Sequence, residues 1–126
     1  MISLSTLFSS KSQQDDAIIV LNLDKFKEAI SAKNIQLVDV RTSDEYKSGH
    51  IKNAKNIDCS CLCIENYEVF SSNFIDQFQL LNKEEPIYIY CRSGSRSKQS
   101  AKKLYAIGFK KIYDLEGGYL NYSSNN

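Results

Sequence analysis

The stretch YIYCRSGSRSKQSAKKLYAIGF, residues 88–109, constrains this chain more than any other. It opens as an apolar run of β-branched and aromatic residues, which reads as a strand. A cysteine closes that run, six residues of Ser, Gly and Arg follow, and a helix with Ala101, Leu104 and Tyr105 inward occupies residues 96–107, with Gly108 suited to a left-handed stop. A strand that passes through a short polar turn into a helix is half of a β-α-β unit. The rest of the chain repeats the alternation. IIVLN (18–22) is a short first strand, followed by a helix that Asp24 caps and that runs through about Ser31, with Phe26, Ala29 and Ile30 on one face. IQLVDV (35–40) is a buried strand, and the polar stretch 41–51 contains a helical turn from Ser43 to Lys47 stopped by Gly49. AKNID (54–58) is a further strand, NFIDQFQLL (73–81) has helical spacing, and PIYIY (86–90) is a strand opened by the only proline. KKIYDL (110–115) is the last strand, and GGYLNY turns into a short terminal helix. Such alternation implies a mostly parallel sheet with helices on both faces, whose ligands bind beyond the carboxyl ends of the strands. Cys91, Arg41 and Glu116 all fall at such ends.

At 126 residues the chain holds one sizeable core, expected over residues 17–122, with a partly ordered leader at 1–16 and a polar tail at 123–126. A net charge of +1 argues against a general nucleic-acid binder. No window approaches the ~20 apolar residues of a membrane span, and the N-terminus lacks the basic start of a signal peptide, so a cytoplasmic location is expected. Cys59, Cys61 and Cys63 crowd into CSCLC while Cys91 stands apart, a pattern that suggests free thiols in a reducing compartment. Between Cys91 and Tyr113 there are seven Lys or Arg and no Asp or Glu. The lysines read as a solvated helix face, while Arg92 and Arg96, held in the turn, read as anion-binding.

A loop between a strand end and a helix N-terminus gathers backbone N–H groups into one concavity, and the helix dipole adds partial positive charge. Both favour a thiolate at Cys91. Gly94 lets the backbone fold around the sulfur, Ser93 and Ser95 add hydroxyl donors, and Arg96 has the fork to hold an anion bidentately. A buried, inert cysteine would account for the strand but not for the turn. Two chemistries use the geometry. Cysteine phosphatases place five residues between Cys and Arg, whereas four, RSGS, stand here. The tighter ring suits one extra sulfur atom better than a phosphoryl group.

Three motifs carry a resemblance. LVDVRTSDEYKSGHIKNAKNID (37–58) is similar to a strand followed by DVR and E(Y/F)xxGHIxxAxNI, YCRSGSRS (90–97) to a CxxGxRS loop, and AKKLYAIGFKKIYDLEGGYLNY (101–122) to a closing AxxLxxxGFxxVxxLxGGxxxW. Together they resemble the single-domain rhodaneses, small thiosulfate sulfurtransferases. The resemblance implies a three-layer α/β/α domain around a five-stranded, mostly parallel sheet. It also implies a Cys91 persulfide cradled by the amides of Arg92, Ser93, Gly94, Ser95 and Arg96, with no cofactor and no metal. The donor would be a small anion such as thiosulfate, and the acceptor a thiol, thioredoxin or another protein. Asp39 and Arg41 are expected to pair and fix the neighbouring loop, Glu45 and His50 to match the family's E…GH positions in a supporting role, and Gly117 and Gly118 to make a tight turn beside the active loop. Two departures stand out. Tyr122 occupies a position where many relatives carry Trp, and the CSCLC run lies outside the pattern. Its alternation suits one face of an extended segment, and its place after NID leaves a sulfur relay with Cys91 open. The alternatives to a sulfurtransferase are a non-catalytic rhodanese-like binding module and, less favoured by the short loop, a small cysteine phosphatase or arsenate-reductase-like enzyme.

Overall fold

A computed structural model describes residues 14–59 and 72–125, with side chains from Asp76 onward in the second segment. Five strands, β1 (Ile18–Leu21), β2 (Gln36–Asp39), β3 (Lys55–Asn56), β4 (Ile87–Tyr90) and β5 (Ile112–Leu115), form one sheet in the order β1-β5-β4-β2-β3. Every pairing among them is parallel, so the expected mostly parallel sheet is parallel throughout. The helices are α1 (Leu23–Ile30), α2 (Ser43–Ser48), α3 (Ser72–Gln79), α4 (Ser95–Ala106) and α5 (Gly118–Ser124).

Alternation along the strands divides the core into two. Val38, Ile87, Ile89 and Ile112 point to one face, where Phe78 of α3 and Ala101 and Leu104 of α4 cover them. Leu37, Tyr90 and Leu115 point to the other face, against Phe26 of α1, Tyr46 of α2 and Tyr119 and Tyr122 of α5. Helices therefore coat both sides, giving the α/β/α layers. The strand order also positions the site. From β2 the chain moves outward to β3, then returns to the opposite side of β2 as β4. The carboxyl ends of β2 and β4 thus flank a topological switch point, where open α/β sheets leave a crevice.

Local chemistry explains most element ends. α1 is capped by Asn22, whose side chain accepts from the Lys25 amide at 2.9 Å, and Asp24 lies inside the first turn rather than capping it. That acid still complements the helix dipole. α2 begins with a capping box: Thr42 accepts from the Glu45 amide at 3.2 Å, and Glu45 accepts from the Thr42 amide at 3.1 Å. α4 ends at Ile107, and Gly108 follows the cap at φ +111°, its amide donating to the Tyr105 carbonyl at 3.1 Å and the Phe109 amide to the Leu104 carbonyl at 3.0 Å, so Gly108 makes the positive-φ glycine stop expected of it. α5 continues through Ser124, into what composition marks as a polar tail. Residues 1–13, Cys61 and Cys63 lie outside the described residues. Among the described residues no helix is long and apolar enough to cross a membrane.

Phe78 is fully buried and meets the Phe109 ring edge-on at 6.1 Å, joining α3 to the segment that leads into β5. Phe78→Ala should destabilise the domain by about 3–5 kcal/mol, measured by denaturant unfolding.

Candidate active site

Asp39 ends β2 and Arg41 follows two residues later, so both reach the switch point. The Arg41 amide and Nε donate to Asp39 Oδ1 at 2.9 and 3.0 Å, and Nη2 donates to Oδ2 at 2.7 Å. Nη2 also donates to the Gly49 carbonyl at 2.6 Å. The guanidinium lies 4.4 Å from the centre of the Tyr119 ring. Burial alone would lower the Arg41 pKa, but the hydrogen bonds and charge of Asp39 outweigh it and hold the group charged. Burial, with the Asp39 charge beside it, pushes the Tyr90 phenol far above its ordinary range, and its oxygen accepts from the Ile51 amide at 3.0 Å. Both carboxylate oxygens of Asp39 are thereby engaged in ordering residues 49–51 and the aromatic wall.

Cys91 follows β4 directly and is only 1% exposed. The Gly94 amide donates to its sulfur at 3.1 Å, and the Ser97 hydroxyl stands 3.4 Å away. Gly94 has φ +121°, a conformation that lets the chain curl back over the sulfur. The carbonyls on the far side are pinned: the Tyr119 amide donates to Cys91 O at 2.7 Å and the Leu120 amide to Arg92 O at 3.0 Å. Gly118 makes this approach possible. Its φ is +60°, and a Cβ there would sit 2.6 Å from both carbonyl oxygens. Gly117, at φ +75°, completes the turn.

Arg96 lies at the start of α4, and its fork is engaged. Nη1 and Nη2 donate to Glu45 Oε1 and Oε2 at 2.6 and 2.9 Å. The Arg96 hydrogen bond is the main reason that the Glu45 carboxyl falls to about 2. The bidentate anion expected on Arg96 is thus a carboxylate of the protein itself, supplied by α2, and the basic stretch is not without an acid in space. Arg92, Ser93 and Ser95 are exposed at the loop rim. His50 does not meet Glu45: its ring stacks on Tyr46 at 3.7 Å, with Nδ1 2.8 Å from the Tyr46 carbonyl. Cys59 is buried, with its thiol donating to the Ile57 carbonyl at 3.3 Å.

Two residues of this site escape sequence reasoning. Ser97 and Asp114 are both buried. Desolvation raises Asp114 to about 6, against a smaller lowering influence of Ser97, and its Oδ1 has no partner. Asp114 lines a cavity of about 410 Å³ beside the loop, together with Gly94, Lys98, Lys102, Glu116 and Gly117. An aspartate inside an apolar β-strand pattern was the available signal. Among the described residues no group of three or more His, Cys, Asp or Glu is placed to hold a metal.

A strand-end cysteine under a glycine amide, buttressed by a Gly-Gly turn, is accompanied by a family match: the model of the rhodanese-like domain covers residues 22–125. The chain belongs to the rhodanese-like family. This rhodanese-like chain is 32% identical over 113 residues to Thiosulfate sulfurtransferase 18 of Arabidopsis thaliana, covering 88% of the chain and 82% of that protein. It is 32% identical over 92 residues to Thiosulfate sulfurtransferase GlpE of Coxiella burnetii, covering 73% and 75% respectively. The tRNA uridine(34) hydroxylase of Legionella pneumophila is 30% identical over 81% of the chain, which spans only 38% of that protein. Among solved structures, a rhodanese-like domain protein from Staphylococcus aureus matches with a TM-score of 0.66 and 30% identity, over 82% of this chain and 90% of that one.

Two outcomes follow for the rhodanese-like site. Gly118→Ala should cost about 1–3 kcal/mol or more in chemical denaturation, because the backbone is left-handed and the new Cβ meets two carbonyls. Asp114 keeps its proton more readily folded than unfolded, where its ordinary value is about 3.9. Its stabilising contribution is therefore complete below pH ~4 and lost as pH rises through about 6. Asp114→Asn should melt with wild type near pH 4 but about 5–10 °C higher at pH 8, read by circular dichroism.

Proposed function

We propose that this rhodanese-like domain is a sulfurtransferase that carries a sulfane sulfur on Cys91. The observation that supports it most is the Gly94 amide directed at the Cys91 sulfur at 3.1 Å, inside a loop whose outer carbonyls are held by α5. In the first step the Cys91 thiolate attacks the outer sulfur of a donor such as thiosulfate. The donor's S–S bond breaks, sulfite leaves with the electron pair, and Cys91 becomes a persulfide. In the second step a thiophile (cyanide in an assay; a thiol, thioredoxin or protein cysteine in a cell) attacks the outer sulfur, and Cys91 leaves as thiolate. The scheme is ping-pong and needs no metal or organic cofactor.

Backbone amides of the loop stabilise the persulfide anion as an oxyanion hole does, because they are fixed before charge arrives. Exposed Arg92 at the rim attracts the dianionic donor, and Arg96 acts at one remove by tying α4 to α2 through Glu45. Asp39, Arg41, Gly117 and Gly118 are supports of the loop, and His50 has no part in the chemistry. The phosphatase alternative fares worse on the same geometry, since the guanidinium that a phosphoryl group would need is held by Glu45. The binding-module alternative leaves the glycine amide on the sulfur without a purpose. The cysteine pattern of the sequence supports a reducing, cytoplasmic setting.

Cys91→Ser should lower thiosulfate:cyanide sulfurtransfer about a thousand-fold or more while retaining the far-ultraviolet spectrum of the wild type. Intact mass after brief thiosulfate treatment should show one added sulfur atom in the wild type and none in the variant. Retained activity in Cys91→Ser, or Cys91-dependent turnover of p-nitrophenyl phosphate in place of thiosulfate, would sink the assignment.

A further inference from the structure

A buried serine in a helix can satisfy its hydroxyl on a carbonyl of the preceding turn. Ser97 and Ser100 both do so: Ser97 Oγ donates to the Gly94 carbonyl at 3.2 Å and Ser100 Oγ to the Arg96 carbonyl at 3.0 Å. Ser97 has a second neighbour, for the Cys91 thiol donates to its oxygen at 3.4 Å. A hydroxyl has one proton to give and rotates to place it. While Cys91 is S–H, the two bonds run in one direction, from sulfur to hydroxyl to carbonyl. A sulfur anion has no proton to donate, so the first of these bonds survives ionisation only if the Ser97 proton turns toward the sulfur. That turn leaves nothing stranded. The Lys98 amide also donates to the Gly94 carbonyl, at 3.1 Å, so the oxygen keeps a partner.

We propose that the Ser97 hydroxyl is a catalytic donor that follows the charge on Cys91, resting on the Gly94 carbonyl while the sulfur is neutral and turning onto the sulfur while it is an anion. Its meaning for turnover rests on the sulfurtransferase reading above. When a thiophile attacks the outer sulfur of the persulfide, the bond between the two sulfurs breaks and its electron pair stays on Cys91. Ser97 turns its proton to that leaving sulfur, on which the Gly94 amide is already directed at 3.1 Å. Ser97 keeps its proton throughout. While Cys91 carries the sulfane sulfur, its own sulfur is divalent and neutral, and the hydroxyl goes back to the carbonyl.

The surroundings fit this role. Cys91 is 1% exposed and Ser97 is fully buried, so little water reaches the sulfur to take the place of a protein donor. A hydrogen bond to a charged group counts for more in such surroundings than in water. Gly94 caps α4 and Ser97 lies three residues on, so a single helical turn brings both donors to the sulfur. A donor on a thiolate makes it a weaker nucleophile and a better leaving group. Ser97 therefore serves the discharge of the persulfide more than its loading.

The test follows both side chains. The full chain, labelled with ¹³Cβ-cysteine and ¹³Cβ-serine, is titrated by NMR, with Cys91 and Ser97 assigned through the backbone. Ser97→Ala should raise the Cys91 midpoint by about one pH unit or more, and Ser97→Thr, which keeps the hydroxyl, should reverse most of that shift. Ser100→Ala should leave the midpoint in place. None of these variants changes a charge, so the charged groups around the loop are common to all of them. In the wild type the Ser97 signal should move through the same midpoint as Cys91, a readout that needs no variant to fold. Loading by thiosulfate and discharge to cyanide are then timed separately at a pH above both midpoints. Ser97→Ala should discharge about three-fold or more slowly yet load no more slowly, a split that general loosening of the loop would not give. An unchanged or lowered midpoint in folded Ser97→Ala, a Ser97→Thr no better than the alanine, a Ser97 signal that ignores the Cys91 titration, or loading slowed as much as discharge would each overturn the proposal. Absence of sulfurtransfer in the wild type would defeat the functional reading alone, because the titrations do not depend on it.

Discussion

Two hydrogen bonds from the first turn of α5 to the carbonyls of Cys91 and Arg92 hold the site in shape. In a trans peptide the carbonyl and the following N–H point in opposite directions. Drawing two successive carbonyls toward α5 therefore turns the amides of Arg92 and Ser93 away from it. The loop is not free to relax into an ordinary turn, because its oxygen side is already occupied. Gly118 is the only residue type that permits the contact, given its left-handed φ and the 2.6 Å approach that a Cβ would make. Tyr119, which supplies one of the amides, is fixed in turn by the Arg41 guanidinium against its ring. The buried Asp39–Arg41 pair thus reaches the cysteine loop through an aromatic side chain and one amide. A buried ion pair adds little net stability of its own, though losing one partner would strand a charge in the core.

The fold was legible in this sequence because the strands are short, apolar and punctuated. IQLVDV, PIYIY and KKIYDL lie close to where β2, β4 and β5 fall, and Gly49 ends α2 as its conformational freedom suggests. Helix starts were less secure. Asn22 and Asp24 are both good capping residues two positions apart, and only the direction of the Asn22 side chain toward the Lys25 amide decides between them. The end of α5 was hidden because SSNN is polar, while the Lys27 ammonium over the Tyr122 ring and its hydrogen bond to the Asn125 carbonyl act from elsewhere in space.

The site divides along the same line. Local features, the cysteine at a strand end, the glycine in the loop and the Gly-Gly turn, are read from neighbours in sequence. Non-local ones are not. Arg96 and Glu45 are 51 residues apart, so the charge run around Arg96 looks unbalanced until α2 and α4 are brought together. Asp114 was concealed for a related reason. Alternation along β5 puts it on the same face as Ile112, a position that composition reads as core, and a carboxyl there stands out only once the fold buries it beside the cysteine loop.

The loop from Arg92 to Ser95 has two sides with separate duties. Its inner side is backbone, and it surrounds a sulfur that is almost wholly covered. Its outer side is made of the exposed side chains of Arg92, Ser93 and Ser95. Main-chain amides are the same whichever residues carry them, so side-chain identity on the rim is decoupled from the reactive centre within. A domain built this way can acquire a new docking partner by surface substitution alone, while the chemistry beneath is inherited unchanged.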